Sequence, residues 1–255
     1  MASHLLNDAQ IDHYQRTGYV IPDFRLPDDT LMQIKATHAR LVEQYPQFTD
    51  YCGSLLAFDP WFLEVARTPE ILDMVEQLIG PDFALWNSSL FAKPARHGTR
   101  TPWHQDGEYW PIRPLATCSA WIALDDATTE NGCLRFLPGS HQRRELAEHH
   151  HNPADGLSLP LELDTSAYDE REAVDLVLEA GQMSLHDIFL MHGSEPNTSE
   201  HPRRGMTLRY MPLTSVYRRD LARPVEDNRM SMSNRTLYLM RGNDQTGEND
   251  FRIRY

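Results

Sequence analysis

A chain of 255 residues is long enough to bury one sizeable core, and its 40% hydrophobic and 24% charged content is that of a folded domain, not a disordered one. With 24 Lys and Arg against 37 Asp and Glu, its formal charge of −13 argues against sequence-independent nucleic-acid binding, which depends on neutralising phosphates. Apolar runs such as Cys118–Leu124 are too short to cross a bilayer, and Met1–Asp12 lacks a signal-peptide core. The three cysteines (Cys52, Cys118, Cys133) form no disulfide pattern, so a cytoplasmic protein without a membrane partner is expected.

The first third reads as helical. Asp8 is placed to cap a short helix through Arg16 that ends at Gly18, and Tyr19-Val20-Ile21 reads as a strand stopped by Pro22. Asp28 or Asp29 can cap a longer helix in which Leu31, Ile34, His38, Leu41 and Tyr45 recur at helical spacing. Thr68-Pro69-Glu70 starts another, with Ile71, Met74, Val75 and Leu78 as its apolar face and Gly80 as its stop.

After Pro81, short apolar runs alternate with turn residues. Strands are expected in Phe83–Phe91, Thr117–Leu124, Cys133–Leu137 and Asp175–Leu178, then Met183–Leu185, Phe189–Met191, Met206–Pro212 and Thr236–Met240. Residues 145–175 lack periodicity and read as a long solvated loop or lid; the His149-His150-His151 triplet falls inside it. That segment holds nine acidic residues and one Arg, a net of −8, whereas Arg203–Tyr255 holds eleven Arg against six acids, a net of +5.

Of twelve histidines, one has an acidic residue two places on: His104-Gln105-Asp106. Chance supplies roughly 1.7 such pairs in a chain of this composition, so the spacing alone is weak. On a strand, however, residues i and i+2 share a face, and an imidazole and a carboxylate could share one metal. A further imidazole from a distant strand completes a facial triad that leaves open positions on Fe(II). His186 and His192 are the candidates; His192 precedes a tight turn at Gly193-Ser194 and Pro196-Asn197, as a strand ending at a barrel mouth would. Arg203, or its neighbour Arg204, suits the far carboxylate of a dicarboxylic cosubstrate, because guanidinium binds carboxylate bidentately.

The run from Trp103 to Pro114 (WHQDGEYWPIRP) resembles the phytanoyl-CoA dioxygenase family. So do Cys118–Asp126, Glu130–Leu134, Leu137–His141 and the block from Met191 through Pro196-Asn197 to Arg204, with Gly18-Tyr19-Val20 near the start. The resemblance covers nearly the whole chain. It implies a mainly β fold with flanking N-terminal helices, a double-stranded β-helix of the cupin-like jelly-roll type. Residues 1–255 would then be one oxygenase domain, with 1–80 helical and 81–255 a jelly-roll core carrying the inserted loop 145–175.

The resemblance implies His104, Asp106 and His192 as iron ligands and Fe(II), 2-oxoglutarate and dioxygen as cofactor and cosubstrates. Arg203 would grip 2-oxoglutarate with Ser194 in support, while Trp121 lines its pocket and Asn87 makes a polar contact to it. Gln105, Tyr109, Trp110 and Arg113 are candidates for reading the substrate, with packing the other reading of the aromatic and Arg positions. The family's founding enzymes carry an upstream lysine near the cosubstrate that Leu55-Leu56 does not supply, and no basic platform for coenzyme A is evident. The expected activity is therefore that of the broad family: hydroxylation of an unactivated C–H bond of a small molecule, with release of succinate and CO2. An intact Asp106 favours hydroxylation over chlorination. A cupin-type divalent-metal binder without turnover is the alternative, and a small-molecule carrier with a relict site a third. Oligomeric state is left open.

Overall fold

Along Arg203–Pro212, Met206, Leu208 and Tyr210 enter an apolar core while Arg203, Thr207 and Arg209 line a cavity on the other side, the period of two that a strand imposes. The same division runs through the neighbouring strands and separates a structural face from a chemical one. The computed structural model describes residues 5–154, 157–223 and 231–254. Asp155 and Gly156 of the inserted segment, and residues 224–230, lie outside the described residues.

Five helices belong to the first third: α1 (Asp8–Thr17), α2 (Asp28–Gln44), α3 (Leu55–Phe58), α4 (Phe62–Ala66) and α5 (Pro69–Ile79). α5 starts at Thr68-Pro69 and stops at Gly80 as expected, whereas the starts of α1 and α2 differ from expectation. Asn7, not Asp8, caps α1, its side chain accepting from Gln10 N while the Gln10 side chain accepts from Asn7 N. Pro27 precedes α2, and Asp28 and Asp29 lie inside its first turn, where they favour the positive end of the helix dipole. The short helices α3 and α4 carry too few turns to show a periodicity. No helix among the described residues is long and apolar enough to cross a membrane.

The strands are β1 (Tyr19–Val20), β2 (Tyr51–Cys52), β3 (Phe83–Lys93), β4 (Thr101–His104), β5 (Ile112–Arg113), β6 (Cys118–Ala123) and β7 (Leu134–Phe136). Then follow β8 (His149–His151), β9 (Leu161–Leu163), β10 (Val174–Leu176), β11 (Met183–Asp187) and β12 (His192–Ser194). The last are β13 (Arg203–Pro212), β14 (Val216–Tyr217) and β15 (Tyr238–Arg241). A larger antiparallel sheet has the order β1-β11-β6-β13-β3-β15, with β2 also on β3; a smaller one has the order β10-β7-β12-β4. The outer face of the larger sheet (Leu90, Ile122, Leu185, Leu208) packs on α2 and α5 through Ile34, Leu41, Ile71 and Met74. Its inner face and the smaller sheet enclose the cavity, giving a mainly β jelly roll flanked by N-terminal helices.

Two expectations are corrected. Phe189–Met191 is not a strand, because Ile188 and Phe189 turn the chain and pairing resumes only at His192. Residues 145–175 are not a structureless loop: His149–His151 and Leu161–Leu163 pair as a hairpin. Leu163 is fully buried beside Trp103 and Met191, which anchors the segment to the smaller sheet.

Candidate metal centre and its cavity

β4 and β12 are antiparallel neighbours, and their register sets His104 directly opposite His192. Directly paired residues project to one face, and the two imidazole centroids are 4.1 Å apart. Each ring is oriented by its own backbone: Nδ1–H of His104 donates to Pro102 O at 2.8 Å, and Nδ1–H of His192 donates to Leu190 O at 2.9 Å. A carbonyl only accepts, so Nδ1 carries the proton and each Nε2 keeps a free lone pair.

Asp106 arrives by a route other than the expected strand. β4 ends at His104, and Asp106 opens a single 3-10 turn through Glu108, in which Tyr109 N donates to Asp106 O. The Asp106 carboxylate stands 3.8 Å from His104 Nε2 and 3.8 Å from His186 Nε2. These separations are too long for hydrogen bonds, and the first is short enough for one ion with bonds of about 2.1 Å to bridge. Ligand atoms of His104, Asp106 and His192 lie within 4.8 Å of one another, so these three could hold a metal ion. His192 opens its strand rather than ending one, the turn at 188–191 delivering it to the site.

Protonation suits that role. Burial, then the adjacent His104, pushes His192 down to about 3, and burial also lowers His104, so both rings are neutral at pH 7. Burial pushes the Asp106 carboxyl up, but His186, His192, Arg209 and His104 outweigh it and hold the group well below the usual carboxylate range. One carboxylate and two neutral imidazoles form the donor set of a two-histidine, one-carboxylate site.

The adjoining cavity has a volume of about 320 Å³. Arg203 enters it from the start of β13, only 2% exposed. Its Nε and Nη2 both donate to Gly132 O, at 3.1 and 2.8 Å, and its guanidinium lies 5.4 Å from the Trp121 ring. Gly132 has φ +76°, and a Cβ there would lie 2.3 Å from Glu195 O, so only glycine presents its carbonyl this way. Gly205 makes room for the indole, since its Cβ would fall 2.2 Å from Trp121 Cζ2. Burial lowers the Arg203 guanidinium to about 10, still charged at neutral pH, and no carboxylate among the described residues pairs with it. A buried cation held by one carbonyl is a receptor for an anion. Arg204 points away and binds Asp125 with two donors.

The other expected residues divide. Tyr109, Trp110 and Asn87 line the cavity, with Asn87 Nδ2 donating to Ser89 Oγ at 2.9 Å. Ser194, two residues after His192 on β12, is buried but not part of the lining, and its hydroxyl has no hydrogen-bond partner among the described residues. Gln105 does not line the cavity: its amide group bonds Glu145 O, Phe189 O and Ala147 N and ties three backbone segments together. Arg113 also lies outside the lining, with its guanidinium folded onto Trp110 O and Ile112 O. Among the cavity residues not singled out for the site from the sequence are three cations, Lys93, Arg209 and Arg235. Arg209 is six residues from Arg203 on the same strand and so on the same face, a period-two signal that was available. Arg235 carried no local signal.

The profile of the family "Phytanoyl-CoA dioxygenase (PhyH)" matches residues 14–205. Among curated proteins, the chain is 33% identical over 157 residues to the phytanoyl-CoA dioxygenase domain-containing protein 1 homolog of Dictyostelium discoideum, covering 60% of this chain and 55% of that one. It is 34% identical over 148 residues to the human peroxisomal phytanoyl-CoA dioxygenase, covering 56% of this chain and 43% of that one. The chain thus spans about half the length of these relatives. Among solved structures it is similar to the non-heme monooxygenase ThoJ in its apo form, with a TM-score of 0.75 and 26% identity over 96% of this chain and 87% of the other. EvdO2 from Micromonospora carbonacea var. aurantiaca, solved with 2-oxoglutarate, shares the fold at a TM-score of 0.69 and 24% identity, covering 81% of this chain and 91% of the other.

Proposed function

Because the chain belongs to the phytanoyl-CoA dioxygenase family, we propose that it is a non-haem Fe(II)- and 2-oxoglutarate-dependent oxygenase that hydroxylates a C–H bond of a small molecule. The observation that carries this reading is the pairing of two features in one cavity. Three ligand atoms converge within 4.8 Å, and Arg203 offers a buried, uncompensated cation beside them. The reaction converts 2-oxoglutarate, dioxygen and R–H into succinate, CO2 and R–OH.

His104, Asp106 and His192 would hold Fe(II), which would supply the oxidising chemistry. The residues do the rest. Nδ1–H bonds to Pro102 O and Leu190 O fix both rings, so little reorganisation accompanies ligation. Arg203 binds the distal carboxylate of 2-oxoglutarate and orients the chelating end toward the ligands, Trp121 forms the wall beside it, and the Ser194 hydroxyl adds a donor. Phe136, 6.1 Å from the His192 ring and 5.4 Å from the His186 ring, shields the centre from water.

Anaerobic addition of Fe(II) and 2-oxoglutarate is expected to give a weak visible absorption band, absent in Asp106→Ala, and admission of oxygen to give succinate. A chain that binds the metal but gives neither band nor succinate is a metal-binding cupin, and the oxygenase reading is then wrong.

A further inference from the structure

Two arginines in the same cavity have no counter-charge among the described residues. Arg209 and Arg235 are each 7% exposed, and neither forms an ion pair among the described residues. Arg209 Nη1 donates to Ser89 Oγ at 2.8 Å, and Arg235 Nη2 donates to Gly53 O at 2.9 Å. Arg209 Nε, Arg235 Nε and Arg235 Nη1 are buried with no partner among the described residues. The rings beneath them, Trp110 at 4.9 Å from Arg209 and Trp86 at 5.3 Å from Arg235, offer cation–π attraction. That attraction is smaller than what an ionised group loses on leaving water. Burial lowers the Arg235 guanidinium, as does nearby Arg209, against partial relief from Tyr217 and Tyr51, so two like charges are held together in a dry place.

This pair is separate from the Arg203 station. Arg203 rests on Gly132 O and Trp121, and shares no hydrogen-bond or ring partner with Arg209 or Arg235. Arg203 and Arg209 are also six residues apart on one strand face, about 20 Å between Cα atoms. The second station lies close to the chemistry, because Arg209 and Arg235 line the same cavity as His104, Asp106 and His192. Asp106 does not serve as its partner, since that charge is committed to the metal position. Asp50, the other acid in the lining, is exposed and bonds neither arginine.

Resting on the oxygenase reading, we propose that Arg209 and Arg235 form a subsite for an oxyanion of the substrate, a carboxylate, phosphonate or phosphate, and that the molecule oxidised is an anion. With one anionic end fixed on this pair, the aromatic wall of Trp110 and Phe91 holds the body of the molecule, and a C–H bond is presented toward Asp106.

The test uses the full chain loaded with Ni(II), which does not turn over, and 2-oxoglutarate. Calorimetric titrations compare phenylphosphonate and benzoate with their uncharged methyl esters. Each anion is expected to bind at least tenfold tighter than its ester, and the ratio of the two anions tells which oxyanion the site prefers. Arg209→Gln and Arg235→Gln should each weaken the anions about tenfold, the loss of one charge-assisted contact, while leaving the esters unchanged. Arg235→Lys, which keeps the charge, should recover part of the loss. Equal binding of anion and ester to the unaltered chain overturns the proposal even if no variant folds. So does undiminished anion binding in a Gln variant with a native circular dichroism spectrum. Failure of the oxygenase reading looks different: 2-oxoglutarate itself then fails to bind, or binds equally well to Arg203→Met.

Discussion

Lys93 shows how a single buried group reports on the site. It projects from the end of β3 into the cavity wall, 4% exposed, with Nζ donating to the carbonyls of Ser194 and Glu195. Burial, then the nearby Arg203 charge, pushes its ammonium down to about 6, against partial relief from Glu195. Between that value and the ordinary lysine range the unfolded chain binds a proton that the folded chain does not, so stability rises with pH across the window. One proton corresponds to at most about 1.4 kcal/mol per pH unit, or roughly 2–4 °C in Tm for a chain of this size. From pH 7 to pH 9 the unaltered chain should therefore gain about that much Tm per unit relative to Lys93→Met. Parallel Tm curves would show that Lys93 is protonated in the fold. At this scale the sequence was partly legible. His104, Asp106 and His192 stood in motifs, whereas Arg235 is contributed by a segment with no pattern of its own, and only tertiary packing on Gly53 and Trp86 reveals it.

Among elements, the β8–β9 hairpin departs furthest from what the sequence suggested. Its acidic, aperiodic composition reads as a solvated loop, because strands of three residues are too short to establish alternation. Long-range contacts hold it instead. His149 Nδ1–H donates to Ala147 O, which frees Nε2 to accept from Gln105 N at 3.1 Å, and Tyr109 OH donates to Leu161 O at 3.1 Å. Glu162 pairs with Arg100 at 2.8 Å and accepts from Asn152, staking the second strand to the chain just before β4. Leu157, Ser158 and Leu159, between the two strands, line the cavity. Glu162→Ala removes the stake and leaves the arginine half-buried and unpaired, a loss of about 1–1.5 kcal/mol. Hydrogen exchange of the amides in His149–His151 and Leu161–Leu163 should accelerate about tenfold while β6 and β13 keep their protection. Unchanged hairpin protection would mean that apolar anchoring through Leu163 suffices. The long strands were easier to read, since β3 and β13 bury one apolar face each and their periodicity survives in the sequence.

For the molecule as a whole, the net charge of −13 and the cationic cavity act on different length scales. The inserted segment carries most of the excess acid and also supplies part of the cavity wall, so an approaching anion meets a negative field before it reaches the arginines. Surface charges facing solvent are screened over about 10 Å at 0.1 M salt, whereas Arg203, Arg209 and Arg235 are buried and keep their short-range pull. Raising the ionic strength should then remove the repulsion faster than it weakens the binding. For 2-oxoglutarate and the Ni(II)-loaded chain, the association rate is expected to rise about twofold between 20 and 200 mM salt, with little change in dissociation. Stopped-flow quenching of the cavity tryptophans, Trp110 and Trp121, reads both rates. An association rate that falls with salt would show that the arginines steer ligands from a distance, and the acidic segment would then have no bearing on access to the site.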